Sequence, residues 1–317
     1  MKTFCTIITS DFLPKAIVLF RSLQSFDQKV KLQVLVVDSK DIDSKDTDES
    51  LTIFSITQLS EYPLVKALYK KYAHINLDEF RWSLKPVFSS YLLLSGYDKI
   101  IYVDCDMFFV NDYNFLFDEL DNNDIILTPH WNSTNPLDNP HAFLSNFTSG
   151  MFSAGFFGVT KNGLNAMTWW ANACHFMMGE HIEKGVNDDQ RYLDLFPVLF
   201  EKMKIIRHRG CNIGSWNYEE SKRVLLNGQV FINEKYPVIF IHFDEMLVST
   251  ILKGHDQLLL PYLDQYSLAF ESEEYQLDQF LHSYKKYKYP GIFMKLKWGL
   301  RIKTRIKKWF YKIAESL

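Results

Sequence analysis

The stretch Lys99-Ile-Ile-Tyr-Val-Asp-Cys-Asp-Met-Phe-Phe-Val110 decides how the chain is read. Ile100 to Val103 is an apolar run of the kind that forms a buried strand. It stops at Asp104 and Asp106, and apolar residues resume at Met107. In extended backbone, residues i and i+2 point the same way, so both carboxylates are expected to face one side at a strand's end. Open α/β sheets bind their ligands at that edge. Two neighbouring carboxylates repel unless a positive group lies between them. Oxygen donors of this kind suit Mg²⁺ or Mn²⁺. The Asp-x-Asp spacing recurs at 41/43 and 46/48, inside a polar run that reads as a solvated loop. About two such triplets would arise by chance at this Asp content, so context selects the third: it alone follows an apolar strand. The competing reading is a turn with two exposed carboxylates.

Upstream, residues 3–9 are apolar and β-branched, a first strand ending in Thr9-Ser10-Asp11. Pro14 opens a helix running to Leu23, with Ile17, Leu19, Phe20 and Leu23 on its apolar face. Residues 32–37 form a second buried strand that ends at Asp38. Strand, helix, strand at this spacing is a βαβ unit, so the sheet begins parallel. Thr9, Ser10, Asp11 and Asp38 then share one edge and could build a nucleotide pocket; helix capping by Ser10 or Asp11 is the alternative. Residues 51–55 give a third strand and 64–72 a helix. Leu84, Val87, Phe88, Tyr91 and Leu92 mark one face of a further helix, with Pro86 in its first turn. Arg81 and Lys85, four apart, are expected to share a face just before the carboxylates; a solvated face is the plainer reading for either, and together they could serve an anionic ligand.

Downstream, residues 113–120 read as a short helix and 125–128 as a strand. Residues 129–148, rich in Pro, Asn and His, read as a long loop, and loops of that length are often functional. In 152–159 small residues interrupt an apolar strand; Gly155 there marks close backbone approach or a bulge. A helix follows at 165–178. Asn187-Asp-Asp-Gln190 reads as a helix start with Asn187 as cap. Residues 207–217 form a Gly-punctuated loop. Residues 238–241 are a last buried strand ending in His242, whose imidazole would add to the two carboxylates and tilt preference toward Mn²⁺.

The chain has 317 residues, enough for one large domain with an extension, and a formal net charge of −3. From Lys285 onward there are eleven Lys/Arg and one acidic residue, Glu315, which leaves residues 1–284 at a net −13. An acidic body repels phosphate backbones, which disfavours nucleic acid as a partner. Residues 289–317 alternate apolar and basic side chains, the pattern of an interfacial amphipathic helix on an anionic membrane; a surface helix docked on its own domain is the alternative. Cys5, Cys105, Cys174 and Cys211 include no C-x-x-C pair, which fits a reduced, cytoplasmic protein at the inner face of the membrane. The short apolar patch 4–8 is too short for a signal peptide or a span, so the sequons at Asn132 and Asn146 read as coincidence.

The strand ending in Asp104-Cys-Asp106 resembles the D-x-D motif of GT-A nucleotide-diphospho-sugar glycosyltransferases, with likeness to family 8 and related bacterial polysaccharide or lipooligosaccharide transferases. Thr9-Ser-Asp11, Trp82-Ser-Leu-Lys-Pro86, Ser153-Ala-Gly155, Asp189-Gln190 and Ile241-His-Phe243 agree with that family in order, and Gly210 to Asn217 is similar to a segment of some bacterial members. The resemblance implies an α/β fold with a mixed, mainly parallel sheet flanked by helices. It implies a catalytic domain over 1–245 and a helical extension over 246–317. It also implies that Asp104, Asp106 and His242 hold Mn²⁺ (or Mg²⁺) on the diphosphate of a donor, a UDP-sugar first of all. Thr9, Ser10, Asp11 and Asp38 would meet the base and ribose, Lys85, Asp104 and Ser153 the rest of the donor, and Asp189 and Gln190 the transferred sugar. The implied reaction is a retaining sugar transfer to a glycan or lipid-linked acceptor in bacterial surface polysaccharide synthesis. Two positions depart from the pattern. Ser153 stands where the family commonly has Asn, and no Gly or phosphate-binding Lys follows His242, although Lys253 lies nearby in sequence.

Two other readings compete. A phosphohydrolase would use Asp104 as nucleophile, but such motifs usually follow the first strand and continue with a small hydroxyl residue. A carbohydrate-binding protein on a degenerate transferase fold would bind donor without metal dependence.

Overall fold

In the computed structural model, which describes residues 2–38 and 50–272, Thr3–Ile8 (β1) is buried at every position. A strand without a solvated face needs cover on both sides, as in the middle of a parallel sheet. β1 pairs in parallel register with Lys31–Val36 (β2), which pairs in parallel with Leu51–Ser55 (β3). Leu13–Gln24 (α1) makes the first crossover, with Pro14 in its first turn, where a missing N–H leaves no bond unmade. Pro63–Leu68 (α2) runs on into a π-helical turn at Tyr69–Ala73.

Leu77–Ser83 (α3) and Lys85–Leu94 (α4) are separate helices. Pro86 cannot donate to the carbonyl four residues back, so the helix breaks at Leu84 and starts again. Arg81 and Lys85, expected on one helical face, therefore sit on different helices. Lys99–Val103 (β4) follows and pairs in parallel with β1. Met107–Phe109 (β5), Asn114–Asn122 (α5) and Ile125–Pro129 (β6) come next.

The expected long loop after β6 contains a helix, Pro140–Thr148 (α6). Its start is built by an Asn-Pro pair: Asn139 Oδ1 accepts from the Ala142 N–H at 3.0 Å, and Pro140 sits in the first turn. Phe152–Thr160 (β7) then runs antiparallel between β4 and β6. Leu164–Phe176 (α7) is followed by a small pairing of Glu180–His181 (β8) with Val186–Asn187 (β9). Asn187 is thus a strand residue and caps no helix. A 3₁₀ segment, Gln190–Leu195, leads into Phe196–Leu199 (α8) and Met203–Ile205 (β10), which pairs in parallel with β6. The seven-stranded order is β10-β6-β7-β4-β1-β2-β3.

Arg223–Leu226 (β11), Gln229–Ile232 (β12) and Tyr236–Pro237 (β13) make a separate antiparallel sheet. Phe240–His242 (β14), the expected last strand, does not join the main sheet. It pairs antiparallel with β5, with His242 opposite Met107. Glu245–Leu252 (α9) and Leu260–Ser272 (α10) close the described chain. The 41–48 loop and the basic 289–317 segment lie outside the described residues.

Each face of the main sheet carries an aromatic-rich core. Phe4 meets Phe109, Tyr113 and Phe117 edge-on at 5.5, 5.0 and 5.3 Å. On the other face Tyr102 stacks on Phe157 at 5.1 Å, and Phe157 meets Trp170 edge-on. Such pairs are worth about 0.5–1.5 kcal/mol each beyond the area they bury. A third core joins Phe108 and Ile241 to Leu247, Tyr266 and Phe270, so α9 and α10 brace the β5–β14 ribbon. Phe243 stacks on Tyr266 at 4.7 Å.

Candidate active site

Asp104 is the first residue past β4, at the carboxyl end of that strand. Its N–H donates to Gly155 O at 2.8 Å, which extends the β4–β7 ladder by one rung. The chain then turns: Met107 N–H donates to Asp104 O at 3.1 Å. Because of that turn Asp104 and Asp106 lie between β4 and β5, outside the strict strand alternation. Each has its own cation. Asp104 Oδ1 accepts from the Tyr102 hydroxyl at 2.8 Å and lies 3.5 Å from Lys85 Nζ. Asp106 Oδ2 lies 3.8 Å from Lys15 Nζ, and Asp106 Oδ1 lies 3.0 Å from His242 Nε2.

Register explains how His242 arrives. The β5–β14 pairing sets it opposite Met107, one residue past Asp106, and Phe243 N–H donates to Asp106 O at 2.9 Å. Gly155 leaves room for the group. A Cβ there would stand 2.8 Å from Asp104 Oδ2 and 3.1 Å from His242 Cε1, so these two side chains border one small space. The sequence expectation of close backbone approach at Gly155 is met at this point.

Lys85 is the buried cation of the site. It opens α4, its side chain is only 4 % exposed, and Nζ donates to Ala154 O at 3.1 Å while lying 3.2 Å from Asp189 Oδ2. Burial would strip its proton, but Asp104 and Asp189 hold it on and raise its pKa. Burial pushes the Asp189 carboxyl up, against the pull of Lys85. Trp170 Nε1–H fixes the Asp189 backbone by donating to its carbonyl at 2.8 Å. Burial and the Asp189 charge push Asp188 up to about 6. Asp188 holds a left-handed backbone, φ +47°, and its Oδ1 accepts from Gly179 N–H. For His242 burial works downward, yet the Asp106 carboxylate outweighs it and lifts the imidazole to about 9. Asp106 is held low in return, against its burial, by His242 and Lys15.

Lys85, Asp104, Ser153, Asp189, Gln190 and His242 line one cleft of about 350 Å³. Six sequence candidates are thus brought together, and Asp106 joins them through His242. Thr9, Ser10, Asp11 and Asp38 form a second group at the ends of β1 and β2. Ser10 donates from N–H and Oγ to the two oxygens of Asp38, at 2.7 and 2.9 Å, and Thr9 Oγ1 donates to Asp11. Ser10 therefore ties the ends of β1 and β2 together, Asp11 bonds back to Thr9, and none of the four residues lines the cleft.

Lys15, His130 and Trp216 were not singled out from sequence. His130 and Trp216 line the cleft, and Trp216 meets His242 edge-on at 5.4 Å. Lys15 had a signal. A cation at a helix start, on the same face as Val18, Leu19 and Ser22, opposes the helix dipole and needs an anion nearby. The loop carrying Trp216 is set by Arg223, which donates to Gly214 O at 3.0 Å and pairs with Asp256 at 3.0 Å, both side chains buried.

Among the described residues, no three His, Cys, Asp or Glu side chains are grouped as a finished metal site. The donor chemistry nevertheless fits one. Two neighbouring ligands of an octahedral cation at about 2.1 Å stand about 3.0 Å apart. Asp106 Oδ1 and His242 Nε2 stand 3.0 Å apart as a hydrogen-bonded pair, and Asp104 Oδ2 borders the same space, so these three would be the residues to hold it.

No family model matches the chain. Two uncharacterized Bacillus subtilis (strain 168) proteins are similar to it. YfnD is 30% identical over 257 residues, which cover 78% of this chain and 78% of that protein. YfnF is 27% identical over 259 residues, covering 78% and 82%. Among solved structures, mouse xyloside xylosyltransferase 1 in its apo form superposes with a TM-score of 0.50 at 12% identity, over 78% of this chain and 98% of that one. Galactosyltransferase LgtC, in complex with donor and acceptor sugar analogs, superposes with a TM-score of 0.48 at 12% identity, over 81% and 94%.

Proposed function

Since this chain belongs to the family of Bacillus subtilis YfnD and has the fold of GT-A glycosyltransferases, we propose that it transfers a sugar from a nucleotide-diphospho-sugar to a glycan or lipid-linked acceptor, with retention at the anomeric carbon. The observation that carries the reading is Lys85, buried as a cation between Asp189 and Asp104 in the cleft that His242 also lines. Such a centre suits a substrate that separates charge as it reacts.

In the reaction the bond between the sugar and its phosphate oxygen breaks, and the electron pair leaves with the nucleoside diphosphate. The acceptor oxygen bonds to the anomeric carbon, and its proton passes to the departing phosphate. Asp189 supplies a buried negative charge beside the oxocarbenium-like carbon, and Lys85 keeps that carboxyl ionised. Gln190 and Ser153 offer hydrogen bonds to the sugar. Asp104, Asp106 and His242 would hold Mn²⁺ (or Mg²⁺), which when bound supplies Lewis-acid stabilisation of the departing diphosphate. The Ser10–Asp38 pair would meet the ribose and base of a UDP-sugar. A role in bacterial surface polysaccharide synthesis completes the proposal.

No helix of the described residues is long and apolar enough to cross a membrane. The basic 289–317 segment would bring the protein to an anionic surface, and deleting 290–317 is expected to release it from anionic vesicles in a flotation assay. The decisive experiment is a panel of nucleotide sugars with and without Mn²⁺, scored for transfer and hydrolysis, with the product anomer read by NMR. Hydrolysis of a simple sugar phosphate in place of transfer would favour the phosphohydrolase reading.

A further inference from the structure

His130 lies at the end of β6, and its ring is held on one side only. Its backbone N–H donates to Met151 O at 2.8 Å, and ring Nδ1 stands 2.9 Å from Gly150 O. A carbonyl oxygen can only accept, so Nδ1 carries the proton and fixes the tautomer. The other ring nitrogen, Nε2, is then a bare acceptor on a residue that lines the cleft. Burial keeps the ring neutral by lowering its pKa to about 4. The Trp216 ring stands edge-on to it at 5.8 Å.

We infer that His130 is a binding residue for the acceptor: its Nε2 takes a hydrogen bond from an acceptor hydroxyl, beside the wall formed by Trp216. The inference rests on the transferase reading above. Two observations point away from the donor diphosphate and toward a hydroxyl partner of the kind an acceptor sugar offers. A bare ring nitrogen selects a partner that carries a proton, and a diphosphate at neutral pH offers none. The sheet order also sets β7 between β6 and β4, so His130 approaches the cleft from the far side of Ser153 and Gly155 relative to Asp104.

The test uses two variants of the full chain, with UDP-glucose and UDP-galactose as donors and p-nitrophenyl glycosides as acceptors. His130→Asn puts an amide N–H near the place of Nδ1, which keeps the bond to Gly150, but removes Nε2. His130→Gln carries an amide oxygen out to the Nε2 position. The ratio of transfer to donor hydrolysis is expected to fall about tenfold in the Asn variant, through a higher KM for the acceptor, and to recover in the Gln variant. An unchanged acceptor KM in His130→Asn overturns the inference. So does a loss of transfer and hydrolysis in equal proportion, which would make His130 a support of the fold or of the donor site. Wild-type protein that turns over no donor in the nucleotide-sugar panel above overturns the transferase reading itself, and the inference with it.

Discussion

Replacing Lys85 by Met keeps the length of the side chain and removes the charge between two carboxylates. Lys85 Nζ lies 3.2 Å from Asp189 Oδ2 and 3.5 Å from Asp104 Oδ1. At an effective dielectric of about 20, each contact is worth about 5 kcal/mol of attraction. Deleting one partner of a buried pair exposes about 3–5 kcal/mol of this, because the other charge stays buried and alone. Asp104 is 22 % exposed and partly solvated, so Asp189, at 5 %, carries most of the loss. The loss must depend on pH. Without Lys85 the Asp189 carboxyl rises further above its unfolded pKa, so folding takes up a proton. The variant then regains stability as pH falls toward the unfolded carboxylate range, and loses it as pH rises through the folded value. Urea unfolding at pH 7 and pH 5, followed by circular dichroism, measures this, and Lys85→Met/Asp189→Asn should recover most of the deficit at pH 7. A deficit that stays the same at both pH values, or persists in the double variant, would refute the electrostatic argument and leave lost packing as its cause.

Gly155→Ala places a methyl group 2.8 Å from Asp104 Oδ2 and 3.1 Å from His242 Cε1; a stability loss of about 1–3 kcal/mol and at least tenfold slower transfer are expected, read by urea unfolding and donor turnover. Asp106→Asn removes the largest of the charges that lift His242 to about 9, leaving Asp104 and Asp244, so the imidazole pKa should fall; NMR titration reads this, and the Mn²⁺-induced shift in Tm should vanish with it. His130 protonates at about 4 when folded, against about 6.5 in the unfolded chain, so it stabilises the protein above pH 6.5 and loses that contribution as pH falls toward 4. The stability advantage of wild type over His130→Asn should narrow by about 1.4 kcal/mol per pH unit across that window in urea titrations.

What could be read from the residues alone was whatever is encoded locally. The apolar and β-branched 3–8 run, the apolar 100–103 run, the Pro14 helix start and the 3.6-residue spacing from Leu84 to Leu92 each fix an element by nearest-neighbour chemistry. Pairing between distant segments leaves no such trace. Nothing in Phe152–Thr160 marks it as the antiparallel strand between β4 and β6, and nothing in Phe240–His242 says that it joins Met107–Phe109 outside the main sheet. The same limit applied to the site. The approach of Lys85 to Asp189 depends on the α4 start, on β7 and on the turn before Gln190 meeting in space. His130 was hidden because its surroundings, the Gly150 and Met151 carbonyls and the Trp216 ring, belong to other segments. The Asn139-Pro140 pair is a local helix-start signal, but the polar composition around it has the look of a loop.

The main sheet is finished, in order of synthesis, when Met203–Ile205 takes its edge position. His242 comes later, and it reaches Asp106 only when the β5–β14 ribbon zips and α9 and α10 clamp down behind it. A chain emerging from the ribosome can therefore complete its sheet before it has a usable centre. A protein clipped ahead of residue 240 would lose His242 and, with it, Phe240, which fills the core against Phe109 and Phe156.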